Sequence, residues 1–431
     1  MIVVTPRKGY KSVPWLFGKE IEIPSEWKVE TFDDMFEFII SGTNARSDLN
    51  DSGEIMYIHY GDIHTKWNLQ LDCDLDTIPR IDKEKVSRLQ LLKEGDLIIA
   101  DASEDVEGSG TSISLKNVKN KKIVAGLHTL ALRRKNKNIT FDFMKYLTSI
   151  SFVKIQIISW VTGAKVFGLS KTNSKKIKVP LPSCTEQQKI TSILSNVDDL
   201  IESTEKVIEK CKIVKKGLLQ KLLTQGIGHT KFKKVPWFFG KEIEIPEEWN
   251  VLHLDEICNI RESNSVNSNT YIGLEHISQN DNKLIGQATT EEFTSRTNLF
   301  HIDDVLYGKL RPLLNKVWLA TKEGHCSTDI LPLQTKNNVI PTILLLILTE
   351  YRFFWFAVST SSGTKMPRTN WTDMKKFPVC LPPLTEQQKI VSIFSNINDR
   401  ITSQEQYREK LQKLKKSLIQ KLLTGEVRVK V

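Results

Sequence analysis

Six cysteines, Cys73, Cys184, Cys211, Cys258, Cys326 and Cys380, are scattered through 431 residues with no Cys-x-x-Cys and no Cys/His pair at zinc spacing. That scatter excludes a disulfide framework and a structural zinc site, and it predicts reduced thiols, no bound metal and a cytoplasmic chain. Long apolar runs are also scarce. The most apolar stretch, 341–358, is interrupted by Glu350 and Arg352, which predicts a buried helix rather than a membrane span of about 20 apolar residues. The N-terminal MIVVTPRKGYKS lacks the basic, apolar and small-residue order of a secretion signal. Catalytic signatures are missing too. There is no GxxxxGK[ST], HExxH or GxSxG, and no Asn/Asp-Pro-Pro-Tyr/Phe box of the kind amino-methyltransferases use. The glycine-bearing VEGSGTS (106–112) leads into a strand-like segment, so it lacks the helix N-terminus that would receive a phosphate. Asp82, Glu84 and Lys85 resemble part of a nuclease set, but such triplets are common in surface loops.

What is present is repetition. Val13–Val29 (VPWLFGKEIEIPSEWKV) and Val235–Val251 (VPWFFGKEIEIPEEWNV) agree at fourteen of seventeen positions at an offset of 222. A second pair, TEQQKI from Thr185 and from Thr385, each followed by a helix-like segment ending in QKLLT, repeats at an offset of 200. The intervening bodies are largely unlike. A repeat of this length is far beyond a solenoid unit of about 20–50 residues, so the chain reads as a duplicated domain pair with pseudo-twofold potential. One scaffold presents two different inserts.

The formal net charge is +10, which favours a polyanionic partner, nucleic acid before membrane. Lys116, Lys119, Lys121, Lys122, Arg133, Arg134, Lys135 and Lys137 occur with no acid among them, and 165–178 adds five lysines without one.

Each TEQQKI follows a proline-containing approach. Thr185 with Gln188, and Thr385 with Gln388, predict capping boxes opening two helices of about 40 residues. In the first, Ile190, Leu194, Val197, Ile201, Thr204, Ile208, Cys211, Lys215, Leu218 and Leu222 alternate four and three apart as a coiled-coil seam, widened by Ile193, Leu200, Val207, Val214 and Leu219. The second runs Ile390, Phe394, Ile397 and Ile401, then Tyr407, Leu411, Leu414, Leu418 and Leu422, which predicts a register slip near Gln404. A single apolar stripe of this length needs a partner, and the obvious one is its own repeat. The inserts read as α/β and rich in strand: 97–103, 121–134, 303–312, 316–324 and 327–335 alternate or run apolar between turn residues, and a Phe-rich helix follows in each (139–158 and 341–358). The expected fold is two α/β (α+β) globular domains in tandem, separated by two long antiparallel coiled-coil helices. The expected boundaries are 1–180, 181–226, 227–380 and 381–431.

With no catalyst in view, the polar, glycine-containing segments become the candidate site. Arg and Lys suit phosphate and guanine, Asn and Gln suit adenine. In the second insert the candidates are Tyr307, Lys309 and Arg311 of YGKLRP with Lys365, Arg368 and Asn370 of SGTKMPRTNW. In the first they are Ser103, Glu104, Lys165, Lys171 and Asn173, with Lys121, Lys122, Arg133 and Arg134 of the basic cluster. A self-contained nuclease or methyltransferase would need a motif the chain lacks. A protein scaffold would need neither unlike inserts nor basic clusters.

YIGLEHI (271–277), DDVLYGKLRP (303–312), STDILPL (327–333) and PLTEQQKI (383–390), with YIHYGDI (57–63), EGDLIIADASED (94–105) and PSCTEQQKI (182–190) in the first half, resemble the specificity subunit of type I restriction–modification systems. The likeness spans essentially the whole chain. It implies two target recognition domains, each reading half of a split, asymmetric duplex sequence, with the helices as a spacer. It also implies a chain without catalysis or cofactor of its own. The implied partners are two adenine-N6 methyltransferase subunits using S-adenosylmethionine and two restriction subunits using ATP and Mg²⁺. The resemblance makes Thr185, Glu186, Gln187, Gln188, Thr385, Glu386, Gln387 and Gln388 part of the methyltransferase-docking region. Two departures stand out: Asp303 replaces the family's usual glycine, and the first insert carries ADASED where the second has YGKLRP.

Overall fold

The computed structural model describes residues 6–262, 265–292 and 296–430; the first five residues of the N-terminal stretch read above for a leader lie outside them. The chain divides into two compact units, Met1–Ser203 with Tyr407–Val431, and Thr204–Gln406. Each unit therefore takes in part of both long helices.

In the first unit a five-stranded sheet orders Phe36–Ile39, Thr129–Arg134, Leu97–Ala100, Ser112–Lys116 and Leu69–Asp72 as neighbours, antiparallel except for the last pair. Leu97–Ala100 is buried throughout, because its alternating side chains serve two cores. Leu97 and Ile99 pack with Phe143, Ile150 and Ile157, while Ile98 and Ala100 join Ile58, Ile113 and Ala131. The second unit has a four-stranded antiparallel sheet, Cys258–Ile260, Ile330–Thr335, Val305–Gly308 and Val317–Leu319. There Val305 and Tyr307 belong to one core and Leu306 to another. Both units are α+β.

The repeated tryptophan box forms the same hairpin twice, Tyr10–Pro14 on Glu20–Pro24 and Phe232–Pro236 on Glu242–Pro246. The strand after it closes on the segment that enters the long helix: Lys28–Thr31 pairs with Lys178–Leu181, and Asn250–His253 with Pro378–Leu381.

The long helices are Cys184–Leu222 and Leu384–Leu423, roughly 60 Å each at 1.5 Å per residue. In the first unit Ile190 and Leu194 share a core with Leu418, Ile419 and Leu422, and Lys415 Nζ lies 2.5 Å from Asp198 Oδ1. In the second, Leu218 and Leu222 share a core with Ile390 and Phe394, and Lys212 meets Glu405 at 3.7 Å. Within each unit the two segments therefore run antiparallel.

Four local expectations are corrected. The second seam does not slip: Ile401 is followed by half-buried Gln404 and Arg408, buried Leu411, half-buried Lys415 and Leu418 and buried Leu422, while Tyr407 and Leu414 are exposed. Long polar side chains cover the seam with their stems, so an apolar-only reading missed them. Ile193, Leu200 and Val214 are likewise exposed and do not widen the first seam. The caps also differ, because the helices start one residue before the predicted threonines. The Glu186 N–H donates to Ser183 Oγ (3.2 Å) and the Gln187 N–H to the Ser183 carbonyl (2.8 Å), and the Pro383 carbonyl accepts from the Glu386 and Gln387 N–H groups. Finally, the Phe-rich segments are broken. Pro341–Thr349 and Tyr351–Ser359 bend by 63° where Glu350 caps the second helix by accepting from the Arg352 N–H. The other segment divides into Phe141–Met144, a turn at Leu147–Ser149 and Ser151–Trp160. No single helix among the described residues is long and apolar enough to cross a membrane.

The turn into each central strand is built alike. Asp96 is buried and accepts from the Lys93 N–H (2.8 Å) and from Arg133 (2.6 Å). Asp304 does the same with the His301 N–H (2.8 Å) and Arg261 (2.6 Å). The preceding residue is left-handed in both, Gly95 at φ 76° and Asp303 at φ 69°. A Cβ on Gly95 would fall 1.9 Å from the Phe141 ring. Gly95→Ala should therefore destabilise the first unit by about 2 kcal/mol through backbone strain and lost packing. Asp303→Gly should not destabilise the second, since it removes strain at an exposed turn. Chemical denaturation of the two variants checks the contrast, and equal effects would refute it.

Candidate nucleic-acid interface

The second unit brings its predicted loops together through backbone pairing. The Arg311 N–H donates to the Pro367 carbonyl (2.7 Å), Thr369 N–H to Lys309 (3.0 Å), and Lys309 N–H to Asp329 (2.9 Å). Leu310 and Ser362 both bridge to Arg368. Lys309, Arg311, Lys365 and Arg368 thus lie on one pair of joined loops, with Arg311, Lys365 and Arg368 exposed. The Arg368 guanidinium is steadied by Asp329 at 3.1 and 3.3 Å. Arg311 adopts φ 50°, ψ 65°, a left-handed backbone uncommon for a large side chain.

The first unit repeats this plan with other residues. Ala102–Ser103 pairs with Phe167–Gly168, the Leu169 N–H donates to the Asp101 carbonyl (2.7 Å), and Thr162 bridges Gly168. Exposed Glu104 and Lys165 are therefore carried on joined loops. A cluster that was not anticipated borders them. His128, at φ 55°, places Nδ1 3.3 Å from Asp101 Oδ1, and its ring meets Tyr60 edge-on at 5.3 Å. His64 Nε2 lies 3.0 Å from the Ala102 carbonyl. Burial pushes the Asp101 carboxyl above its usual range, with His128 opposing. Burial, aided by Arg46, holds His59 below the usual imidazole range.

Several predicted contacts are internal instead. Tyr307 is 2% exposed, its ring against Phe353 at 5.5 Å, with burial driving its phenol far up. Ser103 is 4% exposed and accepts from the Asp105 N–H. Asn370 caps the helix Trp371–Met374, accepting from the Asp373 N–H (2.9 Å) while its amide donates to the Asp373 carboxylate. The basic run disperses: Arg133 is spent on Asp96 and the Leu91 carbonyl, Arg134 lies over the Phe141 ring at 3.6 Å, and Lys121 binds Asp74 and the Cys73 carbonyl. Lys122 is exposed. Lys171 is exposed above Phe38 at 5.6 Å, and half-buried Asn173 donates to the Trp160 carbonyl (3.5 Å).

The TEQQKI boxes divide in the same way. Thr185, Gln188, Thr385 and Gln388 are exposed. Glu186 and Glu386 are buried acceptors for Trp27 Nε1 and Trp249 Nε1, each at 2.9 Å. Gln187 accepts from the Thr140 N–H and donates to the Asn138 and Pro182 carbonyls; Gln387 repeats this with Ile340, Asn338 and Pro382. These four side chains brace the domain on its helix and present no surface to a partner.

The family model for the type I restriction modification DNA specificity domain matches residues 24–212 and 246–413, once on each copy of the frame. The chain belongs to this family. Two Methanocaldococcus jannaschii proteins are similar to it along their lengths. The MjaX specificity subunit is 25% identical over 431 residues, 95% of each chain, and the type I restriction enzyme MjaVIII specificity subunit is 28% identical over 329 residues, 70% of this chain and 75% of the relative. A chain from a structure of the type I restriction–modification system, described for its complex assembly and conformational transition, superposes with a TM-score of 0.61 at 13% identity, covering 94% of this chain and 100% of that one. Specificity subunits are the DNA-recognition component of type I restriction enzymes and have no catalysis of their own. In this specificity chain the two copies of the frame carry different side chains on their joined loops: Lys309, Arg311, Lys365 and Arg368 in one, Glu104 and Lys165 in the other.

Proposed function

We propose that this specificity chain reads a bipartite, asymmetric duplex sequence, each unit reading one half in the major groove with its joined loops. One observation carries the proposal. The same loop pairing recurs in both units, yet it offers Lys309, Arg311, Lys365 and Arg368 in one and Glu104 and Lys165 in the other. A shared frame with unlike side chains at one place is what reading two different half-sites demands. Lys122 and Lys171 supply phosphate contacts. The chain directs two adenine-N6 methyltransferase subunits, which use S-adenosylmethionine, and two ATP- and Mg²⁺-dependent restriction subunits, in the cytoplasm where the chromosome lies. Thr185, Gln188, Thr385 and Gln388 form part of the methyltransferase-docking surface. Beside the second pair lies a cleft of about 810 Å³, lined by Asn250, Asn338, Pro383 and Leu384 among others.

Mapping N6-methyladenine genome-wide in the host with and without this gene tests the proposal. Methylation of one split, asymmetric sequence that disappears on deletion is expected. Unchanged methylation, together with no sequence preference of the purified chain for duplex DNA, would overturn it. Binding should also weaken steeply with salt through counterion release.

A further inference from the structure

The first unit's loop pair is poorer in base-reading side chains than the second's, and the structure shows what stands beside it. Asp62, in the helix Tyr60–Thr65, has a side chain with no exposure. Its Oδ1 accepts from Arg46 Nη2 at 3.0 Å and lies 2.9 Å from Lys66 Nζ. Both cations nonetheless reach solvent, with side chains 56% and 43% exposed. The same helix is tied to the joined loops: His64 meets the Ala102 carbonyl, and the Tyr60 ring meets His128, which pairs with Asp101. Arg46, Lys66, His128 and the Glu104 loop therefore share one edge of the unit.

We infer that Arg46 is a specificity-determining residue of the N-terminal unit, reading a guanine edge in its half-site, with Asp62 as its positioning residue and Lys66 as a phosphate contact. The inference rests on the DNA-recognition reading above and adds the residue that does the reading. A guanidinium fixed by a carboxylate on one side still offers donors on the other, the planar fork that matches guanine O6 and N7. A site built only to attract phosphate gains nothing from a buried carboxylate that cancels one of its two charges. Fixing the fork serves discrimination, which depends on angle, more than it serves attraction, which depends on charge. The flexible ammonium of Lys66 suits the phosphate role.

The test is selection from a randomised duplex pool with the full chain, the half-sites being told apart by alanine at Lys309, Arg311, Lys365 and Arg368 together, which alters only the half read by the other unit. Arg46→Ala and Arg46→Lys should each lose about 10- to 100-fold of discrimination at one base pair of the N-terminal unit's half-site, since lysine cannot replace the fork. Asp62→Asn should blur the same base pair and no other. Lys66→Ala should weaken all sequences alike and lower the salt slope by about one. An unchanged melting curve for Arg46→Lys separates misreading from misfolding. If Arg46→Ala weakened every sequence equally, or left the selected sequence unchanged, the inference would be wrong while the DNA-recognition reading stood. If the unsubstituted chain enriched no sequence, that reading would fail and take the inference with it.

Discussion

Replacing Glu186 with alanine is expected to destabilise the first unit by about 3–5 kcal/mol, the usual cost of stranding the partners of a buried charge. Its carboxylate is 2% exposed and accepts from Trp27 Nε1 at 2.9 Å and from Arg428 Nε and Nη2 at 2.7 and 3.1 Å. Trp27 is 1% exposed, so its indole N–H would have no water to turn to. Arg428 also reaches Glu26 at 2.8 Å, so the carboxylate ties the C-terminal tail to the N-terminal domain. In the second unit Glu386 takes the same role with Trp249, the Ile227 N–H and His229. Calorimetry of the full chain should show one transition lowered by roughly 10 °C, at about 2–4 °C per kcal/mol for a unit of this size. Exposed Thr185 and Gln188 supply the control, because alanine at either should move stability by less than about 0.5 kcal/mol. A normal melting curve for Glu186→Ala would restore Glu186 to the docking surface.

The architecture was legible because it is written in patterns that short-range physics enforces. The two frames are near-copies, the long helices carry an alternating four–three seam, and runs such as LIIA at 97–100 are apolar enough for a strand buried on both faces. The seam through Gln404, Arg408 and Lys415 was not legible, since only the fold shows that these polar residues lie on the buried side. The candidate loops are joined to one another by backbone pairing in each unit, but the direction of their side chains was not legible. Tyr307 alternates inward along its strand, Arg133 meets Asp96 across the sheet, and Asn370 turns back to cap a helix. Arg46 and Lys66 escaped notice because the residue joining them, Asp62, is sixteen positions from one and four from the other. Asp62–Lys66 at i, i+4 in a short helix is the one local signal that could have pointed there.

Arg311→Gly should raise the stability of the second unit while lowering its DNA discrimination, and the opposed signs make it the sharpest test of the joined loops. Arg311 sits at φ 50°, ψ 65°, a region that costs a side-chain-bearing residue about 1–2 kcal/mol and glycine almost nothing. Glycine's greater freedom in the unfolded chain takes back part of that gain. The exposed arginine side chain belongs to no core cluster of its unit and so loses little packing when removed. Its backbone N–H, which donates to the Pro367 carbonyl at 2.7 Å, survives the change. The net should be a stabilisation of up to about 1 kcal/mol, read from a shifted denaturation midpoint. Recognition should move the other way, with about 10- to 100-fold less discrimination at one base pair of the half-site read by this unit. Strain at an exposed arginine persists where the side chain it presents is worth more in function than the backbone conformation costs in stability. If Arg311→Gly and Arg311→Ala left the selected sequence intact, the strain would belong to the loop's own geometry, and base reading in this unit would fall to Lys309, Lys365 and Arg368.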